Sequence, residues 1–194
     1  TISGEDFAKA VHQIVPAVVK NDHVMTLNGM LFEVLEKSVS LLGTDRHRMA
    51  VKEVPWSGTS DLVGYVSVVP TRTLTEVAKT FGHQGELTLA INNDENRGLI
   101  AFKANNRTIT SLLIKGRYPD VKEHLPSEEI PEFAIVNTQD LIDSTRRVGL
   151  VLENDVAMKC DFQDSQLILE ASENEVAQAS ESIAIELTGL PKTI

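Results

Sequence analysis

Apolar residues recur at helical spacing over residues 4–19, where Phe7, Ala8, Val11, Ile14, Val15 and Val18 share one face. Ser3 stands before that run and Asp6 three residues later, the pattern of an N-cap with a weak capping box. Pro16 has no backbone N–H to give a helix interior, so the helix is expected to kink or end near it. Three short β-rich runs follow, 27–34, 39–43 and 48–54, broken by turn-forming residues.

The same order returns. A strand over 64–69 leads through Pro70 into a helix with Leu74, Val77, Ala78 and Phe81 on one face, and Gly82 is placed to stop it. Runs 86–91, 98–102 and 108–114 come next, divided by the turn-rich stretches 92–96 and Asn105-Asn106. A third copy begins with a strand over 132–136. Asn137 or Thr138 then caps a helix carrying Leu141, Ile142, Thr145, Val148 and Leu152, and strands follow at 156–162, 166–172 and 181–187. One unit, strand–helix–three strands, thus occurs three times at a spacing of roughly 65 residues. This predicts an α+β fold in which two units make one domain, with their helices packed on one side of antiparallel sheet, and the third unit lacks a mate. The proline- and acid-rich stretch 119–131 is the best linker, which places a boundary between domains 1–126 and 127–194.

A net charge of −10 argues at first against nucleic acid as a partner. Its distribution changes that picture. The helical segments 4–20, 71–83 and 138–150 hold six basic residues (Lys9, Lys20, Arg72, Lys79, Arg146 and Arg147) against five acidic ones, so they carry +1 and the remainder −11. Neutral-to-basic helices can face DNA while acidic strands and loops face solvent. Cys160 is the only cysteine, which excludes an internal disulfide and a multi-thiol metal site. No run approaches the roughly 20 apolar residues that cross a bilayer, and the first residues lack the basic and apolar regions of a signal peptide. A reducing cytoplasm is the simplest compartment.

Two strings go beyond fold class. One is Leu27-Asn28-Gly29-Met30-Leu31-Phe32-Glu33, followed by Gly43-Thr44-Asp45-Arg46-His47-Arg48-Met49-Ala50. The other is Lys115-Gly116-Arg117-Tyr118-Pro119-Asp120-Val121-Lys122-Glu123-His124-Leu125-Pro126. In order and separation both resemble signature segments of the bacterial sliding clamp, the β subunit of DNA polymerase III. The resemblance covers essentially the whole chain, as the clamp's middle domain followed by the first half of its third.

That resemblance implies the DNA-clamp fold and a non-catalytic, cofactor-free processivity factor. Two protomers close a ring around duplex DNA, helices lining the hole and sheets forming the outer wall. The cations facing DNA are then Lys9, Lys20, Arg72, Lys79, Arg146 and Arg147, which suit sequence-independent attraction to phosphates. It also implies a pocket for a short linear motif of the polymerase III catalytic subunit, the clamp loader and other partners. Its wall on this chain is Leu27, Thr44, Arg46, His47, Arg48, Met49 and Pro119, apolar groups for the peptide's anchors with polar groups to orient them. Glu123 and His124 depart from the family, which has a basic and an apolar residue there. Its far wall belongs to the other half of the third domain.

Two other classes compete. Asp45-x-His47 juxtaposes a carboxylate and an imidazole, but that pattern alone is a weak catalytic or metal signal. No Gly-rich phosphate loop, His-Glu-x-x-His or nucleophile elbow accompanies it, and Asp45 is better placed to order the turn entering a strand. A repeat-built binding scaffold without a DNA role fits the acidic charge but not the two strings.

Overall fold

The computed structural model describes residues 1–19, 22–58, 60–92, 98–125, 130–152, 156–173 and 177–194. Lys20, most of the 92–96 turn and the 126–129 part of the linker fall outside the described residues. The chain divides into two units, Thr1–Lys122 and Glu123–Ile194.

In the first unit β1 (Ile2–Ser3) leads into α1 (Gly4–Ile14), where Ser3 caps the helix by accepting from the Asp6 amide. Pro16 turns the last apolar residues of the stripe into a separate 3-10 turn, Val15–Ala17. Strands β2 (Gly29–Val34), β3 (Ser38–Thr44) and β4 (Met49–Pro55) follow. The expected strand 27–34 is shorter than its pattern: Leu27 and Asn28 close a 3-10 turn, Met25–Asn28, because ladder pairing begins only at Gly29 opposite Pro70. The second repeat runs β5 (Val66–Pro70), α2 (Thr71–Phe81), β6 (Glu86–Asn92), β7 (Leu99–Ala104) and β8 (Arg107–Leu112).

The two repeats exchange their leading strands. One sheet has the order β1-β6-β7-β8 and the other β4-β3-β2-β5, so each leading strand joins the sheet of the other repeat. Both exchanges are antiparallel, Ile2 opposite Leu87 and Met30 opposite Val69. Each leading strand also touches the last part of its own repeat through a single bridge, Ile2 with Trp56 and Val68 with Ile114. The result is a pseudo-two-fold domain.

The helices lie side by side with the start of α1 against the end of α2. Gly4 permits this, since a Cβ there would stand 2.4 Å from the Gln84 carbonyl oxygen and 2.6 Å from that of Phe81. Phe7, Phe32, Phe81 and Phe102 are fully buried between helices and sheets, with the Phe7 and Phe102 ring centroids 5.7 Å apart. Each such ring stabilises the fold by roughly 1.5–3 kcal/mol through burial. Alternation along the strands gives the β2–β5 sheet a second covered face: Leu41 points to the helices, whereas Leu42 packs with Val68 and Tyr118.

The second unit holds one repeat: β9 (Phe133–Val136), α3 (Thr138–Val148), β10 (Lys159–Phe162), β11 (Gln166–Glu173) and β12 (Ala177–Thr188), followed by β13 (Lys192–Thr193). Asn137 caps α3, accepting from the amides of Gln139 and Asp140. The sheet order is β13-β10-β11-β12-β9, and Val148, Leu167, Leu169, Ala171, Ile183 and Ile185 form its core. Here β9 pairs with β12 of its own repeat, a full ladder where the first unit has a single bridge. The edge of β10, which by analogy with β2 and β6 receives a leading strand, is taken by β13.

Candidate functional site

The turn between β3 and β4 carries five of the proposed pocket residues, and its own side chains set its shape. Thr44 is 2% exposed; its hydroxyl donates to the Arg48 carbonyl (2.8 Å) and accepts from the Arg46 amide (3.1 Å). Oδ1 of Asp45 accepts from the amides of His47 and Arg48, each at 3.0 Å, and Oδ2 accepts from Nε of Arg48 at 3.0 Å. Desolvation works to raise the Asp45 carboxyl, but those two amides and the Arg48 guanidinium outweigh it and hold the group below its ordinary range. Asp45 therefore orders the turn. Arg46 adopts a left-handed conformation, φ 77°, which a non-glycine residue accepts only when its surroundings enforce it. Its guanidinium is ion-paired with Asp22, whose side chain is 8% exposed. Asp22 also accepts from the Val24 amide and exchanges two hydrogen bonds with Asn28, so the 22–28 loop and the 44–48 turn are tied together.

The seven candidate wall residues differ in accessibility. Leu27 and Thr44 are buried, Met49 is half-buried, and Arg46, His47, Arg48 and Pro119 are exposed. Pro119 follows Tyr118, whose ring is held in the second face of the sheet and whose hydroxyl lies by the Thr44 backbone without a well-formed hydrogen bond. Burial pushes that phenol up to about 12. Gly116, at φ 127°, brings the same segment against Thr26, next to Leu27. Leu27, Thr44 and the 116–119 segment are therefore close neighbours. The cleft that Pro119 lines, about 400 Å³ over Leu31, Leu42, Ser67 and Val68, is a different one that contains none of the turn residues.

The cations expected on the helices also divide. Lys9 is ion-paired with Glu5 at 2.7 Å, and Arg147 makes a forked contact with Glu181, its Nε 3.1 and 3.2 Å from the two oxygens. Arg72, Lys79 and Arg146 are exposed and make no salt bridge among the described residues. Between α1 and α2 runs an open groove of about 780 Å³, lined by Lys9, His12, Lys79 and His83 together with Glu5 and Thr75. In the sequence His12 is only one of several histidines available to a catalytic or metal site, alongside His23, His83 and His124, and Asp22 carries no signal. A histidine alone on a helix carries no signal, whereas its repeat position does, as shown below; Asp22 is recognisable only once the loop has closed on Arg46.

No cluster of three or more metal-ligating side chains occurs among the described residues, and no helix is long and apolar enough to cross a membrane. Fold and surface together define a repeat-built α+β scaffold with a helix-lined, cation-bearing groove on one face and a rigid β-turn presenting polar and apolar groups. The comparisons give that class its family. The family model for the central domain of the DNA polymerase III beta subunit matches residues 1–120. The beta sliding clamp of Micrococcus luteus is 34% identical over 187 residues, 96% of this chain and 59% of that protein. That of Streptomyces coelicolor is 34% identical over 190 residues, 97% of this chain and 50% of the relative. The Pseudomonas aeruginosa sliding clamp solved with bound griselimycin superposes with a TM-score of 0.87 at 22% identity, over all of this chain and 51% of that one. The chain belongs to the DNA polymerase III β subunit family, the bacterial sliding clamps, and spans between half and three fifths of the length of these relatives.

Proposed function

We propose that this chain is the middle domain (1–126) and the first half of the third domain (127–194) of a clamp that encircles duplex DNA and tethers the replicative polymerase. In this reading it is a non-catalytic processivity factor acting in the cytoplasm as a ring of two protomers. The observation that carries the reading is the strand exchange in the first unit. It holds α1 and α2 side by side, with the exposed Arg72 and Lys79 on α2 and Lys9, which is paired with Glu5, on α1. The DNA-facing set is Arg72, Lys79 and Arg146, with Lys9, Lys20 and Arg147 as secondary members.

The partner site is the surface around Leu27, Thr44, Arg46, His47, Arg48, Met49 and Pro119, which takes the linear motif of the polymerase catalytic subunit, the clamp loader and other clamp-binding proteins. Two features support it: the turn is braced from both sides by Asp45 and Asp22, and a neighbour of the same fold is known with griselimycin bound. A preorganised wall of this kind reduces the ordering cost of peptide binding.

Fluorescence anisotropy of labelled duplexes tests the DNA reading. The chain should bind two unrelated sequences equally and weakly, and lose affinity steeply with salt, because phosphate contacts alone are involved. A preference for one sequence, or binding that persists in high salt, refutes it.

A further inference from the structure

The three helices are each 11 residues long, opening at Gly4, Thr71 and Thr138, so the repeats can be aligned residue by residue. The ninth residue is His12, Lys79 and Arg146 in turn, and all three are exposed. At no other position of this alignment do all three helices carry a group able to bear positive charge. The sixth holds Lys9, Glu76 and Asp143, and the tenth Gln13, Thr80 and Arg147. His12 and Lys79 also line the same groove between α1 and α2. The fourth position (Phe7, Leu74, Leu141) and the eleventh (Ile14, Phe81, Val148) are apolar and turned inward in all three helices, whereas the ninth is exposed in all three, so what the helices share there is charge rather than packing.

We propose that His12 is the third phosphate-contacting residue of this repeat position, and that its protonation makes the hold of the first unit on duplex DNA depend on pH. The proposal rests on the DNA-binding reading above. Histidine is the side chain whose charge ordinarily changes between about pH 5 and 8, and a nearby phosphate favours its charged form. Four other titratable groups face the groove: Glu5 and Lys9 from α1, Lys79 from α2 and His83 just beyond α2. Glu5 is paired with Lys9 at 2.7 Å, so that cation is directed at a carboxylate already on the surface. Lys79, His12 and His83 make no salt bridge among the described residues, and of the two histidines only His12 stands at the ninth position of a helix. Protonation of His12 would give α1 the positive charge at the ninth position that Lys79 gives α2.

The test is a salt titration of a fluorescein-labelled duplex by the full chain at about pH 6 and about pH 8, with His12→Gln, His12→Lys, His83→Gln and Lys79→Gln. One phosphate contact changes log K by about 0.9 per decade of salt. The wild-type chain should therefore lose about 3.5-fold more affinity between about 50 and 200 mM salt at the lower pH than at the higher. His12→Gln should show the shallow dependence at both pH values, and His12→Lys the steep one at both. An unchanged pH response in His12→Gln, its disappearance in His83→Gln, or no pH response in the wild type overturns the proposal. Loss of affinity in Lys79→Gln without any effect at His12 refutes this inference alone. Absence of DNA binding in every variant refutes the DNA reading and the inference with it.

Discussion

Replacing Gly4 by alanine sets two rules against each other. Alanine is the better helix former, by up to about 1 kcal/mol in a helix interior, so propensity alone predicts a gain in stability. Geometry predicts a loss. The added methyl would lie 2.4 and 2.6 Å from two backbone carbonyl oxygens, those of Gln84 and Phe81, and neither can rotate away as a side chain would. Relief requires α1 to move off the end of α2, which also strains the hydrogen bond from the Gly4 amide to the Gly85 carbonyl, 3.1 Å long. Overpacking of this kind costs typically 1–3 kcal/mol, so the net expectation is destabilisation by about 1–2 kcal/mol. Trp56, the chain's single tryptophan, reports on this unit; it is half-buried, and its indole N–H donates to the Leu35 carbonyl at 2.9 Å. Urea titrations followed by tryptophan fluorescence should show a lower midpoint for Gly4→Ala at an unchanged slope. Gly85→Ala is the matched control, because a Cβ there meets nothing within 4 Å, and it should be neutral or slightly stabilising. A midpoint for Gly4→Ala at or above that of the wild type would show that the helix junction is not tight.

Three further outcomes follow from the site. Met49→Ala should weaken binding of a peptide carrying a glutamine, a leucine and a terminal Leu-Phe by about 1–2 kcal/mol, roughly five- to thirtyfold, in an anisotropy titration; equal affinity would assign Met49 to packing within the domain. Arg146→Ala should reduce the salt slope of DNA binding by about one, and Arg147→Ala much less because Glu181 already holds that guanidinium; the reverse ranking contradicts the assignment. Tyr118 is 7% exposed and stays neutral to about pH 12, whereas an unfolded tyrosine ionises near pH 10. Its contribution is thus complete below about pH 10 and declines by at most roughly 2–3 kcal/mol as pH rises to about 12. Tyr118→Phe should abolish that part of the alkaline loss in urea titrations, and an identical decline in the variant would show that other groups cause it.

What could be read from the sequence was local. The stripe of Phe7, Val11 and Ile14 and the proline at 16 are interactions within one helix, and they placed α1 and its end. Asp45 was recognisable as a turn former because its partners are two and three residues away. The pairing of Met30 with Val69, by contrast, joins segments whose patterns suit several sheets equally well, so the exchange of leading strands was not legible. Leu27 and Asn28 continue a β-like run, yet they turn in 3-10 geometry because no strand lies opposite them. The left-handed Arg46 was hidden for a related reason. Its guanidinium meets Asp22, 24 residues earlier in the chain, and a turn position with φ > 0 is ordinarily read from glycine or asparagine.

The exchanged strands bear on how this domain can form. One sheet of the first unit is complete only when Ile2 has met Leu87, 85 positions on, and the other only when Met30 has met Val69, 39 positions on, so no repeat offers a finished nucleus of its own. Loop closure over such a distance comes before most of its stabilising contacts, which places the domain among slow, non-local folders. A chain cut between β4 and β5 would yield two pieces, each with a sheet lacking its edge strand and a helix lacking its neighbour. Mixed, they can supply each other's missing strand, and the reconstituted domain should unfold in a single cooperative transition.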